Sequence, residues 1–200
     1  MSREDAIRAL LEASIEMGHE FDAVEVKAAG ESTDTHHLAV VAKAVLGMTN
    51  RRDGGIVAIG INDDLEVIGL SVEQASTWSY DEVAAKLAPF ADPHIDFEVY
   101  PLEIGGRTVV VVDVQEFAEM PVICSKDSAK TEKGTIYVRP RGQAKTTNRL
   151  TSSQLRELLD LGVEKRLASV LAMLRRSGLV MPPPEDPDSA EFARERKDFP

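Results

Sequence analysis

The sequence predicts an α+β domain with a single mixed, mostly antiparallel sheet flanked by helices. Three observations predict it. The first sixty residues alternate between helical and strand periodicity. Two strand patterns flank Gly105-Gly106, a strong hairpin signal. A capped segment with helical apolar spacing follows the last strand pattern and supplies a closing helix.

The elements follow in order. Ser2 to Met17 reads as a helix: Ser2 can cap it, Glu4 and Asp5 suit its first turn, and Ile7, Leu10, Leu11 and Ile15 form one stripe. Gly18 is expected to end it. Phe21 to Ala28 alternates, with Val24 and Val26 on one face and Glu25 and Lys27 on the other. A helix is expected from Thr35 to Met48, then a buried strand in "GGIVAIGIN". "DDLEVIGL" reads as a turn into a third strand, hairpin partner of the second. Tyr80 to Leu87 reads as a short helix closed by Pro89. "TVVVVDV" is apolar on both faces and belongs in the middle of the sheet. Met120–Ser125 and Thr135–Arg139 are shorter strand candidates. Thr151 or Ser152 caps the closing helix, which runs to about Arg176 with a break expected near Gly162. Residues 1–178 thus read as one domain, with its core over about 20–160 and its closing helix over about 152–176. Residues 179–200, "LVMPPPEDP" and beyond, read as a disordered, proline-rich acidic tail.

The 200 residues carry a net charge of −11, which argues against a protein whose whole surface coats nucleic acid. The distribution is uneven. Between Ser125 and Arg149, Lys126, Lys130, Lys133, Arg139, Arg141, Lys145 and Arg149 face only Asp127 and Glu132. A basic row of this kind suits backbone phosphates, though a solvated loop balancing the acids elsewhere is the plainer alternative. One cysteine excludes an internal disulfide, no segment has the length and apolarity of a membrane span, and the N-terminus lacks a signal peptide's pattern. A cytoplasmic location is expected.

Glu20, Glu25 and Asp63 could converge if the first two strands are neighbours. Three carboxylates at one point repel unless a cation lies among them, and their oxygens suit Mg²⁺ or Mn²⁺. Lys27 shares a face with Glu25 and could steady developing negative charge. On spacing alone, solvated surface acids with Lys27 paired to Glu25 is the simpler reading. Elsewhere the bland readings are preferred. Gly54-Gly55 is a tight turn rather than a phosphate cradle, Tyr137 is a core residue with a bonded hydroxyl, His36 and His37 are exposed, and Cys124 is buried. Trp78 is either an anchor or part of an interface.

Taken together, "EVK", "AKAVLGMTNRRDGGIVAIGINDDLEVIGL" and "GTIYVRPRGQAKTTN" resemble the Alba-like domain of the Schlafen family. Glu20 and Glu25 keep the family's spacing. Asn50, Gly54 and Gly55 match its helix-to-strand turn, Gly60, Asp63, Asp64 and Gly69 the next strand and turn, and Tyr137, Arg139, Gly142 and Thr146 its late motif. The sequence departs from the pattern at Val26, where an aromatic residue is usual, at Pro140, and in the longer turn holding Arg51 and Arg52. The resemblance implies a Schlafen Alba-like domain that handles RNA or DNA. In some members it is a divalent-metal-dependent endoribonuclease acting on structured RNA such as tRNA. The implied catalytic set is Glu20, Glu25, Asp63 and Lys27, with Asp64 as alternate third acid. The metal ligands would be Glu20, Glu25 and Asp63, holding Mg²⁺ or Mn²⁺. Arg139, Arg141, Lys145, Arg149, Arg51 and Arg52 would contact the nucleic acid. A non-catalytic binding and regulatory module, or a protein–protein module, are the alternatives. Relatives with two such lobes enclose a groove between them, so a single lobe implies a homodimer, for which the apolar stripe of the closing helix offers a surface.

Overall fold

The computed structural model describes residues 2–143 and 145–178. The described residues divide into two compact units, with the boundary between Lys165 and Arg166. The tail expected over 179–200 lies outside the described residues.

Helix α1 (Arg3–Met17) starts where expected. The Ser2 hydroxyl accepts from the Asp5 backbone N–H while the Asp5 carboxylate accepts from the Ser2 N–H, a reciprocal capping box. Strand β1 (Val24–Lys27) leads into α2 (Thr35–Thr49), whose first N–H groups are taken by the Asp34 carboxylate. β2 (Gly55–Ile59) then lies parallel to β1, so β1, α2 and β2 make one crossover unit. Short helices α3 (Val72–Ser76) and α4 (Tyr80–Leu87) precede β3 (Ala91–Asp92). The hairpin β4 (Phe97–Ile104) and β5 (Arg107–Val114) turns on Gly105 and Gly106, at φ 57° and 73°, values that side chains disfavour. β6 (Ile123–Cys124) pairs with β3 as a separate two-stranded piece. The last helix is α5 (Ser152–Arg176). Thr151 caps it, exchanging bonds with Gln154, and the helix runs unbroken through Gly162.

The main sheet has the order β1-β2-β5-β4, with only the β1–β2 pair parallel. β5 is central, as its run of valines predicts. Alternation divides the core in two. Val24, Val26, Ile56, Ala58, Val109 and Val111 face α1. Val57, Ile59, Val110, Val112 and Val114 face α2 and α4, and Leu158 and Leu161 of α5 join that side.

Thr135–Arg139 holds the Val138 bridge rather than a strand, and two further expectations need correction. "DDLEVIGL" is not a third strand: only Ile61 and Val67 bridge. Asn62 Oδ1 accepts from the N–H groups of Asp64 and Glu66 and folds the segment into a turn, while Arg107 takes the carbonyls of Val67 and Ile68. His37 is not exposed. It is half-buried, lies edge-on to Trp78, and packs so closely on Gly30 that a Cβ there would fall 2.7 Å from the ring. Trp78 is a buried anchor, its Nε1 donating to the Gly30 carbonyl.

Candidate functional site

β1 turns its valines toward α1, so Glu25 and Lys27 point to the opposite side of the sheet. There the chain returns as a strap. Val138 bridges Thr147, which fixes Arg139 and Thr146 against β1. Arg139 Nη1 donates to Glu25 Oε2 (2.9 Å) and Nη2 donates to Glu20 Oε2 (2.6 Å). Its remaining N–H groups reach the carbonyls of Asp22 (3.1 Å) and Val24. Thr146 Oγ1 donates to Glu25 Oε2 (2.6 Å), and Lys27 Nζ pairs with Glu25 Oε1 (2.8 Å). Glu20 Oε1 accepts from the Val26 N–H (2.9 Å). The Arg139 side chain is fully buried and Glu25 only 8% exposed. Burial alone would raise the Glu25 carboxyl, but the charges of Lys27 and Arg139 and the hydrogen bonds from Lys27 and Thr146 outweigh it. The group is held below the ordinary carboxylate range and stays ionised.

This network opens on a cleft of about 860 Å³. Glu20, Glu25, Lys27, His37, Asp63 and Thr146 line it, and Lys43, Lys130 and Lys145 add positive charge. Lys43 lies over the Tyr137 ring at 5.5 Å, and Lys130 and Lys145 are exposed at the rim. Burial holds the His37 imidazole below its ordinary value, favouring its neutral form. Asp63 is exposed on the loop after β2, while Asp64 is exposed outside the lining.

A second cavity of about 450 Å³ is lined by Arg51, Arg52 and Arg141 on one side and Gln154, Glu157 and Asp160 of α5 on the other. Arg51 Nη1 donates to the carbonyls of Gly54 (2.6 Å) and Arg52 (3.0 Å), and Arg52 pairs with Glu164 at 3.0 Å. Arg149 is exposed and lines neither cavity. The basic residues expected to form one ledge are therefore divided. Lys145 faces the cleft, while Arg51, Arg52 and Arg141 face the second cavity. Arg139 is a correction: a guanidinium closed in by two carboxylates and two carbonyls cannot meet a phosphate.

The chain matches the Schlafen, AlbA_2 family model over residues 20–148. It belongs to that family. The match begins at Glu20 and ends just past Thr147, so it contains the whole Glu20–Glu25–Arg139–Thr146 network. The DIP2311 protein from Corynebacterium diphtheriae has a similar fold. Its TM-score is 0.52 at 16% identity, over 77% of this chain, which spans only 28% of that longer one. The N-terminal domain of a RecG-related protein from Nitrosomonas europaea aligns with a TM-score of 0.46 at 21% identity, covering 73% of this chain and 95% of that domain. No curated protein matches the chain.

The metal ion that the family resemblance implies does not fit this AlbA_2 site. A hard cation needs free carboxylate lone pairs. Each oxygen of Glu20 and Glu25 already has a partner in Arg139, Lys27, Thr146 or the Val26 N–H, and a divalent cation among them would meet the charges of Arg139 and Lys27. Among the described residues, no group of three or more His, Cys, Asp or Glu side chains is placed to hold a metal. Asp63 shares the cleft with the two glutamates but not their hydrogen-bond network.

Sequence reasoning passed over several members of the site. Thr146 was visible only as part of the family's late motif. Lys43 was hidden in an apolar helix pattern. Gly47 of α2 is a further case: a Cβ there would fall 2.5 Å from Thr146 Oγ1, so the absence of a side chain lets the strap approach. Among the described residues, no helix is long and apolar enough to cross a membrane.

Proposed function

We propose that this chain is a nucleic-acid-binding module that holds a sugar-phosphate backbone in the lysine-lined cleft without a divalent metal. One observation carries the reading. Arg139 and Lys27 answer the buried acids from within the protein, so Lys43, Lys130 and Lys145 face the cleft against Asp63 alone. A local positive surface on a chain of net charge −11 selects a polyanion at that place and repels it elsewhere. Membership of the AlbA_2 family supports the same class of ligand.

The test is fluorescence anisotropy with single-stranded RNA, single-stranded DNA and duplex RNA, at low and moderate salt, with and without EDTA. Binding is expected to weaken steeply with salt and to ignore EDTA. Each of Lys43→Ala, Lys130→Ala and Lys145→Ala is expected to reduce the log–log salt slope by about 0.7 to 0.9. No binding to any of these at low salt would overturn the proposal. Incubation of tRNA with Mn²⁺ is expected to leave the RNA intact. Cleavage that Glu25→Gln abolishes would restore the endoribonuclease reading, with Glu20, Glu25, Asp63 and Lys27 as its residues.

We also propose that two copies pair through α5. Leu159 and Val163 are 51% and 67% exposed, and Leu155 and Leu167 continue the same stripe. An antiparallel pair centred on that stripe would cover it on both copies. Sedimentation at micromolar concentration is expected to give a dimer that Val163→Glu dissociates. A monomeric wild type would refute the pairing.

A further inference from the structure

The cavity between the turn after α2 and the start of α5 has one cationic and one anionic wall. Asn50 fixes the cationic wall. Its Nδ2 donates to the carbonyls of Val122 and Tyr137, and its Oδ1 accepts from the Val122 N–H. Arg51 is thereby set beside the strap that carries Arg141, and the next residue, Gly142, donates its N–H to Asp22 (2.9 Å). Arg51 Nη1 donates to two carbonyls, and its buried Nε has no partner among the described residues. Burial, its largest influence, lowers the Arg51 guanidinium from its ordinary value against the charges of Asp22 and Asp53. Arg141 is exposed and is paired with no carboxylate among the described residues.

On α5, Gln154, Glu157, Leu158 and Leu161 recur at helical spacing and share the face that lines the cavity. Gln154 Oε1 accepts from the Thr151 N–H (2.9 Å), which leaves its amide N–H groups to donate. One turn on, the exposed Glu157 carboxylate offers two acceptors and has no partner among the described residues. Leu158, Leu161 and Pro140 supply apolar surface between the walls.

We infer that this cavity binds a single guanine nucleotide, with its phosphate on Arg51 and Arg141 and its base edge on Gln154 and Glu157. The Watson–Crick edge of guanine presents an acceptor and then two donors, the complement of an amide N–H followed by a carboxylate. Adenine and cytosine present one donor beside a ring nitrogen that repels a carboxylate, and uracil a single N–H between two carbonyls. At about 450 Å³ the cavity falls within the roughly 300–1,000 Å³ of small-ligand sites, with room for one nucleotide and not for a duplex. It shares no lining residue with the lysine-lined cleft, so the inference goes beyond backbone binding there and stands whatever the cleft holds.

The test is calorimetry on the full chain with the 5′-monophosphates of guanosine, adenosine, cytidine and uridine, and with unphosphorylated guanosine. The guanosine monophosphate is expected to bind about tenfold tighter than the other three, and tighter than guanosine. Arg141→Ala is expected to weaken all four monophosphates by a similar factor. Glu157→Gln is expected to remove the guanine preference and to keep the advantage of nucleotide over nucleoside. Both side chains are exposed, so both variants are expected to melt as the wild type does. Short RNAs with and without guanosine separate the two sources of the ligand. A preference for guanosine-containing RNA that Glu157→Gln removes assigns the site to a residue of a chain; its absence, with the mononucleotide still bound, assigns it to the free nucleotide. Equal affinity for the four monophosphates, binding of none at millimolar concentration, or a guanine preference that survives Glu157→Gln would overturn the inference.

Discussion

The sheet buries one carboxylate on each face, and the two are treated differently. Glu25, on the α2 side, accepts from Arg139, Thr146 and Lys27. Asp113, on the α1 side, is fully buried and, among the described residues, is met by Arg3, through Nε (2.7 Å) and Nη2 (2.6 Å). Both arginines are remote in sequence, 114 and 110 residues away. Arg139 is sealed inside, whereas Arg3 remains 56% exposed. The Asp113 hydrogen bond, its largest influence, raises the Arg3 guanidinium above its ordinary value. The Asp113 pair is a brace that fastens the start of α1 to β5. The Glu25 network also closes one side of the chain but borders an open cleft, so its charges shape what the cleft can receive.

Mutations should separate the two. Arg139→Ala is expected to have the largest effect, about 3–5 kcal/mol in metal-free urea titrations, because it leaves two carboxylates without their buried cation. Arg3→Ala should cost less, about 1–3 kcal/mol, since water that reaches the half-exposed arginine can partly replace it at Asp113. Near-equal losses would mean that the two pairs are equivalent braces. Thr146→Val should cost about 1 kcal/mol, a single hydrogen bond to a carboxylate that keeps its other partners. Acid sharpens the contrast further. The folded Glu25 value lies below its ordinary 4.5, so its contribution is complete above that pH and is lost as pH falls through the folded value. Glu25→Gln is therefore expected to flatten the acid limb of a stability–pH curve, measured by urea midpoints across that range. An unchanged acid limb would remove Glu25 as a titrating contributor.

Local patterns carried the fold where the deciding interactions were themselves local. The Gly105-Gly106 hairpin, the Ser2 cap and the opposite faces of Val24 and Glu25 are all set within a few residues. The expected third strand failed on one side chain, because Asn62 can form a turn that strand periodicity does not register. The site was half legible. Alternation put Glu25 and Lys27 on the correct face, but charge says nothing of direction. Arg139 looked like a phosphate contact in a basic run until the Val138–Thr147 bridge turned it inward. Asp113 was read as part of a run apolar on both faces because its partner lies at the other end of the chain.

β1 is the outer strand of the sheet, with β2 on one side only. On its other side the Val26 N–H meets Glu20, the Val24 carbonyl meets Arg139, and the Val26 carbonyl meets Lys27. Side chains thus occupy the backbone groups that a foreign strand would otherwise use to add itself. The same residues that set the charge of the cleft guard this margin against aggregation, so a variant that loosens them would be expected to self-associate through β1 even where it still folds.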